Sequence, residues 1–475
     1  MSYTLRKLTS IPDMRLLPMH ELHHIPMPAV LDMTQAEVTE DNVRRQSSTG
    51  PRFKRITGLL AALFAVGIVS VVLRVMNGFE DRNEWGYHAS IVGYMLITAQ
   101  STVLISVALR MVKAHWRRSL ARVSELFAIV GLLNFIIYIP LLWVLPSTEG
   151  RLSLWFDFPG NSPHIWNTVS LATLVITGLA LLWFAAIPDI ATMRDSEEGS
   201  KHGRYRRFAM GWRGTQRQWV LLNGGISVLG GFYFLMLIFT HCMISVDFSM
   251  ALIPGWKDAI YPTFHALSGF QAGIATLIVT LFILRRFGGL EAYIEVDQFW
   301  ALSKMLLATC LLWFYFWWSS FFTYWYGRTP AEQGVLDFLM VQTYRPLFML
   351  TWALCFPVPF LILIWNAIRK TDWGPTLAAS IILVGQLCNM MRLYVPAFSI
   401  EDVTLHALKV APEANMPGIM DLATVVGLLA GAVLVYMMAT RLFPVLSIWE
   451  IKEGMMLQRK RKFLKTELRS LGKPE

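Results

Sequence analysis

The stretch HCMISVDFSMALIPGWKDAIYPTFHALSGFQAG, residues 241–273, joins the end of one apolar run to the start of the next. Asp247 stands at the edge of the first run, Lys257 and Asp258 follow a Pro-Gly-Trp turn, and His265 lies in the first turns of the second. Two helices of bilayer length joined by a short polar turn is the pattern that recurs along the whole chain, and it decides the fold class. Of 475 residues, 55% are hydrophobic and only 16% are charged, against about 25% charged in soluble domains. Ten such runs lie near 56–76, 87–112, 124–146, 165–187, 219–245, 259–284, 297–325, 343–368, 375–398 and 419–444. A strand barrel needs short alternating segments instead. The expectation is an all-α integral membrane protein of about ten transmembrane helices.

The net charge of +10 is distributed between the runs, so it speaks for membrane orientation and against nucleic acid. One side collects Arg44, Arg45, Arg52, Lys54 and Arg55, then Lys113, Arg117, Arg118 and Arg122, then Arg194 to Arg217, then Arg285, Arg286, Arg369, Lys370 and the basic tail. The other side has far fewer, among them Arg82, Arg151, Lys257, Arg328 and Lys409. This alternation predicts both termini in the cytoplasm and the Trp-rich, acidic loops outside.

The organisation expected is a cytoplasmic segment (1–55), a first helix and loop (56–86), a four-helix bundle (87–245), a second (246–398), an outer loop and last helix (399–445) and a basic cytoplasmic tail (446–475). A parallel repeat supports the two bundles: AQSTVLISVALR and SELFAIVGLLNFIIY correspond to FQAGIATLIVTLFILRR and SKMLLATCLLWFYF. The polar opening segment does not read as a signal peptide and is expected to be extended, disordered or laid on a partner. Its MHELHH motif, with His20, His23 and His24, lacks further ligands at metal-binding spacing. Cys242, Cys310, Cys355 and Cys388 form no CxxC pair, so neither structural zinc nor an iron–sulfur cluster is expected.

Ionisable residues inside spans are costly and mark sites. Asp247 closes span five, Arg392 lies toward the outer end of span nine, His241 and His265 flank the opening loop, and Gln100 is mid-depth in span two. Trp256 and Tyr261 stand near the same outer face. An acid at the end of a span reads by default as an interfacial residue; the sharper alternative is a proton acceptor for a substrate such as a quinol, with Asp247 held ionised by Arg392. Glu125 and Lys304 open spans three and seven at the cytoplasmic side and are candidates for a proton path. Residues 313–326 are rich in Trp and Tyr; most read as an interfacial belt, with two or three lining a slot. His241 and His265 are the one credible pair for a haem, but at shallow depth, and no haem is expected.

The segments SVDFSMALIPGWKDAIYP and SGFQAG resemble the most characteristic part of the NrfD/PsrC (polysulfide-reductase-type) membrane subunits, and are most similar to the quinone-binding membrane subunits of alternative complex III. IPDIATMRD (187–195), GWRGTQRQW (211–219), residues 304–332 and FPVLSIWEIKEG (443–454) extend the resemblance over roughly residues 85–455. The resemblance implies two four-helix bundles with flanking helices in a bacterial cytoplasmic membrane. It implies menaquinol or ubiquinol bound near the outer face, and electrons passed to an iron–sulfur subunit docked there. It also implies cytochrome c-type and second NrfD-like partners, with no haem or iron–sulfur cluster in this chain. Asp247 matches the acid of the family's Phe-Asp-Phe segment and Arg392 its span-nine arginine. The sequence departs from the quinol-binding pattern where Gln100, Leu141 and Lys257 replace histidines. The quinol site is therefore rebuilt around His241 or His265, or lost, the chain then being a structural or proton-conducting paralogue beside a quinol-binding twin. Matched broken helices of a transporter are not evident in the sequence.

Overall fold

The computed structural model describes residues 33–47, 49–148, 162–196, 203–463 and 466–471; His20, His23, His24 and Arg151 lie outside them. After a short helix α1 (Gln35–Ser47) come the apolar helices α2 (Pro51–Asn77), α3 (Arg82–Met111), α4 (Ala121–Val144) and α5 (Pro163–Arg194). A short α6 (Gly203–Phe208) precedes α7 (Gln216–Phe248), α8 (Tyr261–Arg286) and α9 (Val296–Gly327). The chain continues through α10 (Pro330–Leu336), α11 (Arg345–Leu363), α12 (Trp373–Phe398), α13 (Ile419–Leu442) and α14 (Ile448–Leu457). Strands β1 (Gln458–Phe463) and β2 (Thr466–Leu471) then pair as an antiparallel hairpin. Among the described residues ten helices are long and apolar enough to cross a bilayer. The chain is a multi-pass membrane protein.

Helix neighbours follow small residues and polar contacts. Helix α2 lies along α13, where a Cβ on Gly67 would sit 2.7 Å from the Cα of Gly427. Side chains there would hold the two backbones apart. Arg74 of α2 pairs with Asp421 of α13 at 2.5 Å. Helix α4 packs on α3 and α5, and α7 on α5 and α3. Helix α9 packs on α8 and α11, and α12 on α11 and α8. The two sets meet where α8 crosses α3: a Cβ on Gly269 would fall 2.6 Å from Ser101 Oγ, and one on Gly273 2.9 Å from the Ser101 carbonyl. The SGFQAG motif is thus the close-approach stripe of α8.

Irregularities in α3 and α11 bear on the site. Helix α3 opens into a π turn over Leu96–Gln100. Helix α11 is broken at Phe356 between Arg345–Cys355 and Pro357–Leu363. Pro357 and Pro359 lack the N–H groups that would serve the carbonyls of Ala353 and Cys355. The Cys355 carbonyl instead accepts from Gln271 Nε2 of α8 at 2.9 Å, as freed backbone groups inside a bilayer must.

The described part of the opening segment, residues 33–47 and 49–55, differs from the extended or disordered form expected for it. Residues 35–47 are the helix α1, started by a capping box in which Thr34 N–H donates to Glu37 Oε2 (2.6 Å) and Glu37 N–H to Thr34 Oγ1 (3.3 Å). Its buried Val38, Asp41, Asn42 and Val43 dock it on the basic end. Tyr293 donates to Asp41 at 3.1 Å, and Arg45 to the Gly288 carbonyl at 3.1 Å.

Candidate functional site

The turn of the opening stretch builds a cavity. Gly255 takes φ +85°, and a Cβ there would lie 2.9 Å from the Ala331 carbonyl of α10. Only glycine relieves both constraints. The turn drops Trp256 inward, its ring tilted against Tyr261 at 4.5 Å between centroids, while Lys257 is exposed and Asp258 is buried. Asp258 accepts from the backbone N–H groups of Ile260 (2.8 Å) and Tyr261 (3.2 Å) at the start of α8, and from the Ser320 hydroxyl of α9. Trp256, Asp258, Tyr261, Trp317, Tyr324 and Arg392 line a cavity of about 30 Å³, room for roughly one water. Of the aromatic run on α9, Trp317 and Tyr324 turn into this cavity and Trp313 is buried, whereas Trp318, Trp325 and Tyr326 face outward as a belt.

Arg392 is the unusual member. It is 2% exposed, donates from Nη2 to Asn389 Oδ1 at 2.9 Å, and its Nε and Nη1 have no hydrogen-bond partner among the described residues. Among the described residues it has no ion pair with Asp247; the expected Asp247–Arg392 pair does not form. The reason is topological: Asp247 faces α5, where its Oδ2 accepts from Asn167 Nδ2 at 2.6 Å, while Arg392 faces the α8–α9 side. A buried cation lacking a counter-charge is costly unless something supplies acceptors. From Arg392 a ladder of amides runs inward: Asn389 donates to Gln386 (3.2 Å), and Gln386 to Gln271 (2.6 Å). Gln271 then donates to the Cys355 carbonyl and to Cys310 Sγ (3.3 Å).

Beside this ladder runs a second buried chain. Tyr394 OH is 3.0 Å from His265 Nε2, His265 Nδ1 is 2.9 Å from His241 Nδ1, and His241 Nε2 is 3.0 Å from Ser101 Oγ. The Ser101 hydroxyl also reaches the Leu96 carbonyl at 2.9 Å, in the π turn. With Ser101 donating to Leu96, the remaining protons follow. His241 Nε2–H donates to Ser101, so its Nδ1 accepts from His265 Nδ1–H, and His265 Nε2 accepts from Tyr394. The result is a one-directional chain of neutral groups across α12, α8, α7 and α3. The direct 2.9 Å contact between the imidazoles leaves no space for an iron between them. Tyr261 packs edge-on against His265, 6.3 Å between centroids, and so joins the chain to the cavity.

The structure therefore brings Trp256, Tyr261, His265 and Arg392 together, with His241 one hydrogen bond further in. It places the other candidates elsewhere. Gln100 accepts from Asn134 at 2.8 Å inside the α3–α4 contact, and its backbone carbonyl accepts from Tyr233 at 2.7 Å. Glu125 is fully buried at the basic end, bonded to Arg110 (2.5 Å), Arg122 (3.1 Å) and Ser106 (2.8 Å). Lys304 is exposed, its ammonium 3.4 Å over the Trp300 ring, apart from either buried chain. Sequence reasoning missed Asp258, Asn389, Gln386, Gln271 and Tyr394 as members. The spacing of Gln386, Asn389 and Arg392 puts them on one helix face, and that was the available signal.

The chain matches none of the protein-family models compared with it, and no curated protein is significantly similar to it.

Proposed function

We propose that this chain is a membrane subunit of a multi-subunit respiratory or photosynthetic quinol-oxidising complex, built like the NrfD/PsrC-type subunits of alternative complex III and set in a bacterial cytoplasmic membrane. Helices α3, α4, α5 and α7 form one four-helix bundle and α8, α9, α11 and α12 the other, with α2 and α13 flanking and both termini cytoplasmic; the helix neighbours and the charge alternation support this. The head group of menaquinol or ubiquinol docks at the Arg392 cavity near the outer face. Its electrons pass to an iron–sulfur subunit outside and on to a cytochrome c-type partner. One observation carries the reading: a buried guanidinium with two donor nitrogens, Nε and Nη1, unpartnered among the described residues, in a cavity walled by Trp256, Tyr261 and Trp317. Such a group hydrogen-bonds a quinone oxygen, and planar walls hold its ring. Two protons leave with the two electrons of each quinol. The Tyr394–His265–His241–Ser101 chain, which touches the cavity through the Tyr261 ring and ends on the Leu96 carbonyl, relays a proton only when its hydroxyl and imidazole groups turn over, and we take it as one segment of their route.

A quinone ring exceeds a cavity of about 30 Å³, so entry requires movement of the Leu336, Leu339 and Met340 wall. The same closure favours a second reading, a quinone-site-degenerate paralogue that is structural or proton-conducting beside a quinol-binding twin. Co-purification separates the two. Quinone retained by this chain, and lost from an Arg392→Met complex, supports the first; quinone held only by the twin supports the second. In steady-state assays of an intact complex, Arg392→Met raises KM for quinol roughly 10- to 100-fold, the worth of a hydrogen bond to a charged group. Asp247→Asn leaves it unchanged; the opposite pattern would move the site to Asp247.

A further inference from the structure

A second and much larger cavity lies at the basic end, where α3, α5 and α7 meet α14, and measures about 660 Å³. A buried ion-pair cluster stands beside it. Arg110 bridges Glu125 and Glu450 at 2.5 Å each, Arg122 pairs with Glu125 (3.1 Å) and Asp189 (3.0 Å), Arg117 reaches Glu450 at 3.5 Å, and Arg118 reaches Glu453 at 3.1 Å. Lys113 and Lys452 line the cavity, and among the described residues neither has an ion pair. Arg110, Arg117, Arg118, Arg122, Lys113 and Lys452 thus face Glu125, Asp189, Glu450 and Glu453, which leaves two positive charges over, both at the cavity wall. Arg117 Nε is buried without a hydrogen-bond partner.

The remaining wall is amphipathic. Trp212, Trp219 and Trp449 pack in series, the first pair edge-to-face and the second tilted, with centroids 5.1 and 5.4 Å apart. The cavity then follows α7 past Asn223 and Ser227. Their neighbours Val220, Leu221 and Val228 are 66%, 63% and 72% exposed on the face such a helix turns to lipid. One end is therefore cationic with an unsatisfied donor, and the other opens toward hydrocarbon. Basic pockets between transmembrane helices on the positive side recognise anionic lipid head groups, and Lys and Arg donors suit phosphate oxygens.

We propose that this cavity binds the phosphate head group of an anionic phospholipid, its acyl chain lying along α7, so that the phosphate is shared between Lys113 and Lys452, offsets one of the two surplus charges and fastens α14 to the helix ends. The site is independent of the quinol reading.

The test is native mass spectrometry of the full-length protein in its detergent-solubilised complex, with tryptophan quenching by acyl-brominated lipid. Dioleoyl phosphatidylglycerol is expected to bind, to quench tryptophan and to survive washing; phosphatidylcholine is not. The double variant Lys113→Gln/Lys452→Gln weakens phosphatidylglycerol roughly 25-fold, from the usual worth of two lysines near an anionic head. Both lysines lack ion pairs, so the variant is expected to fold; the comparison of the two lipids on the unaltered protein needs no variant. Equal binding of both lipids, or unchanged binding by the double variant, would overturn the proposal. So would millimolar inorganic phosphate that binds without competition from phosphatidylglycerol, which would assign the cations to a free anion. An acidic segment of a partner subunit found filling the cavity would overturn it too.

Discussion

Arg392, His265 and Tyr394 show how three side chains within one hydrogen-bonding neighbourhood carry different kinds of evidence. Arg392 speaks through what it lacks: two buried N–H groups without acceptors. His265 and Tyr394 speak through what they have, a continuous line of bonds of about 3.0 Å into the other set of helices. Tyr394→Phe tests whether that line moves protons. It keeps the ring and the packing and deletes one donor, at about 1 kcal/mol. The complex should assemble and bind quinol as before, while proton release during single-turnover oxidation, followed with a pH indicator, slows. Unchanged release would exclude the chain as a route. His265→Gln is the harsher change. It leaves His241 without its ring partner and should lower thermal stability by the roughly 1–3 kcal/mol of an unsatisfied buried group.

At the scale of elements, the broken helix α11 explains why Gln271 is held so firmly. Pro359 removes the N–H that would serve the Cys355 carbonyl, and Gln271 replaces it from α8. Gln271→Leu therefore orphans that carbonyl and the Gln386 amide together, at a cost of roughly 1–3 kcal/mol. Pro359→Ala in the same chain restores a donor at the right position and should recover part of the loss. The coupling is read from a double-mutant cycle of thermal unfolding in detergent, and full additivity would break the link. The repeat read from sequence gains meaning here. Gln100 and Gln271 stand at equivalent positions, and each reaches the next helix of its own set: Gln100 to Asn134, and Gln271 to Cys310. The paired prolines of α11 were visible in the sequence. Which side chain from which helix would meet the freed carbonyl was not, because that depends on helix rotation and depth.

For the whole molecule, apolar run length and Lys/Arg alternation made the ten spans legible, since a bilayer demands continuous apolar helix whatever the tertiary packing. The site was half legible. Trp256, Tyr261, His265 and Arg392 were expected near one face and do meet, but the acid among them is Asp258 and not Asp247, because the side on which a helix-end carboxylate emerges is set by packing. Helix α1 was misread although its Thr34–Glu37 capping box stood in the sequence; low hydrophobicity concealed a helix that docks through polar contacts. Those contacts make its docking acid-sensitive. Burial raises the Asp41 carboxyl, but hydrogen bonds from Arg45, Arg44 and Tyr293 and the charge of Arg45 outweigh it and hold the group below its ordinary value. A carboxylate so lowered stabilises the folded state above its unfolded pKa, and that contribution is lost as pH falls through the lower, folded value. Helix α1 should accordingly stay docked at neutral pH and loosen only in acid, below the ordinary carboxylate range. Hydrogen exchange over residues 35–47 measures this directly. Protection should drop in acid while α8 and α12 keep theirs, and Asp41→Asn should lower protection at neutral pH and flatten the acid step. An acid step of the same size in Asp41→Asn would assign it to another carboxylate at the basic end.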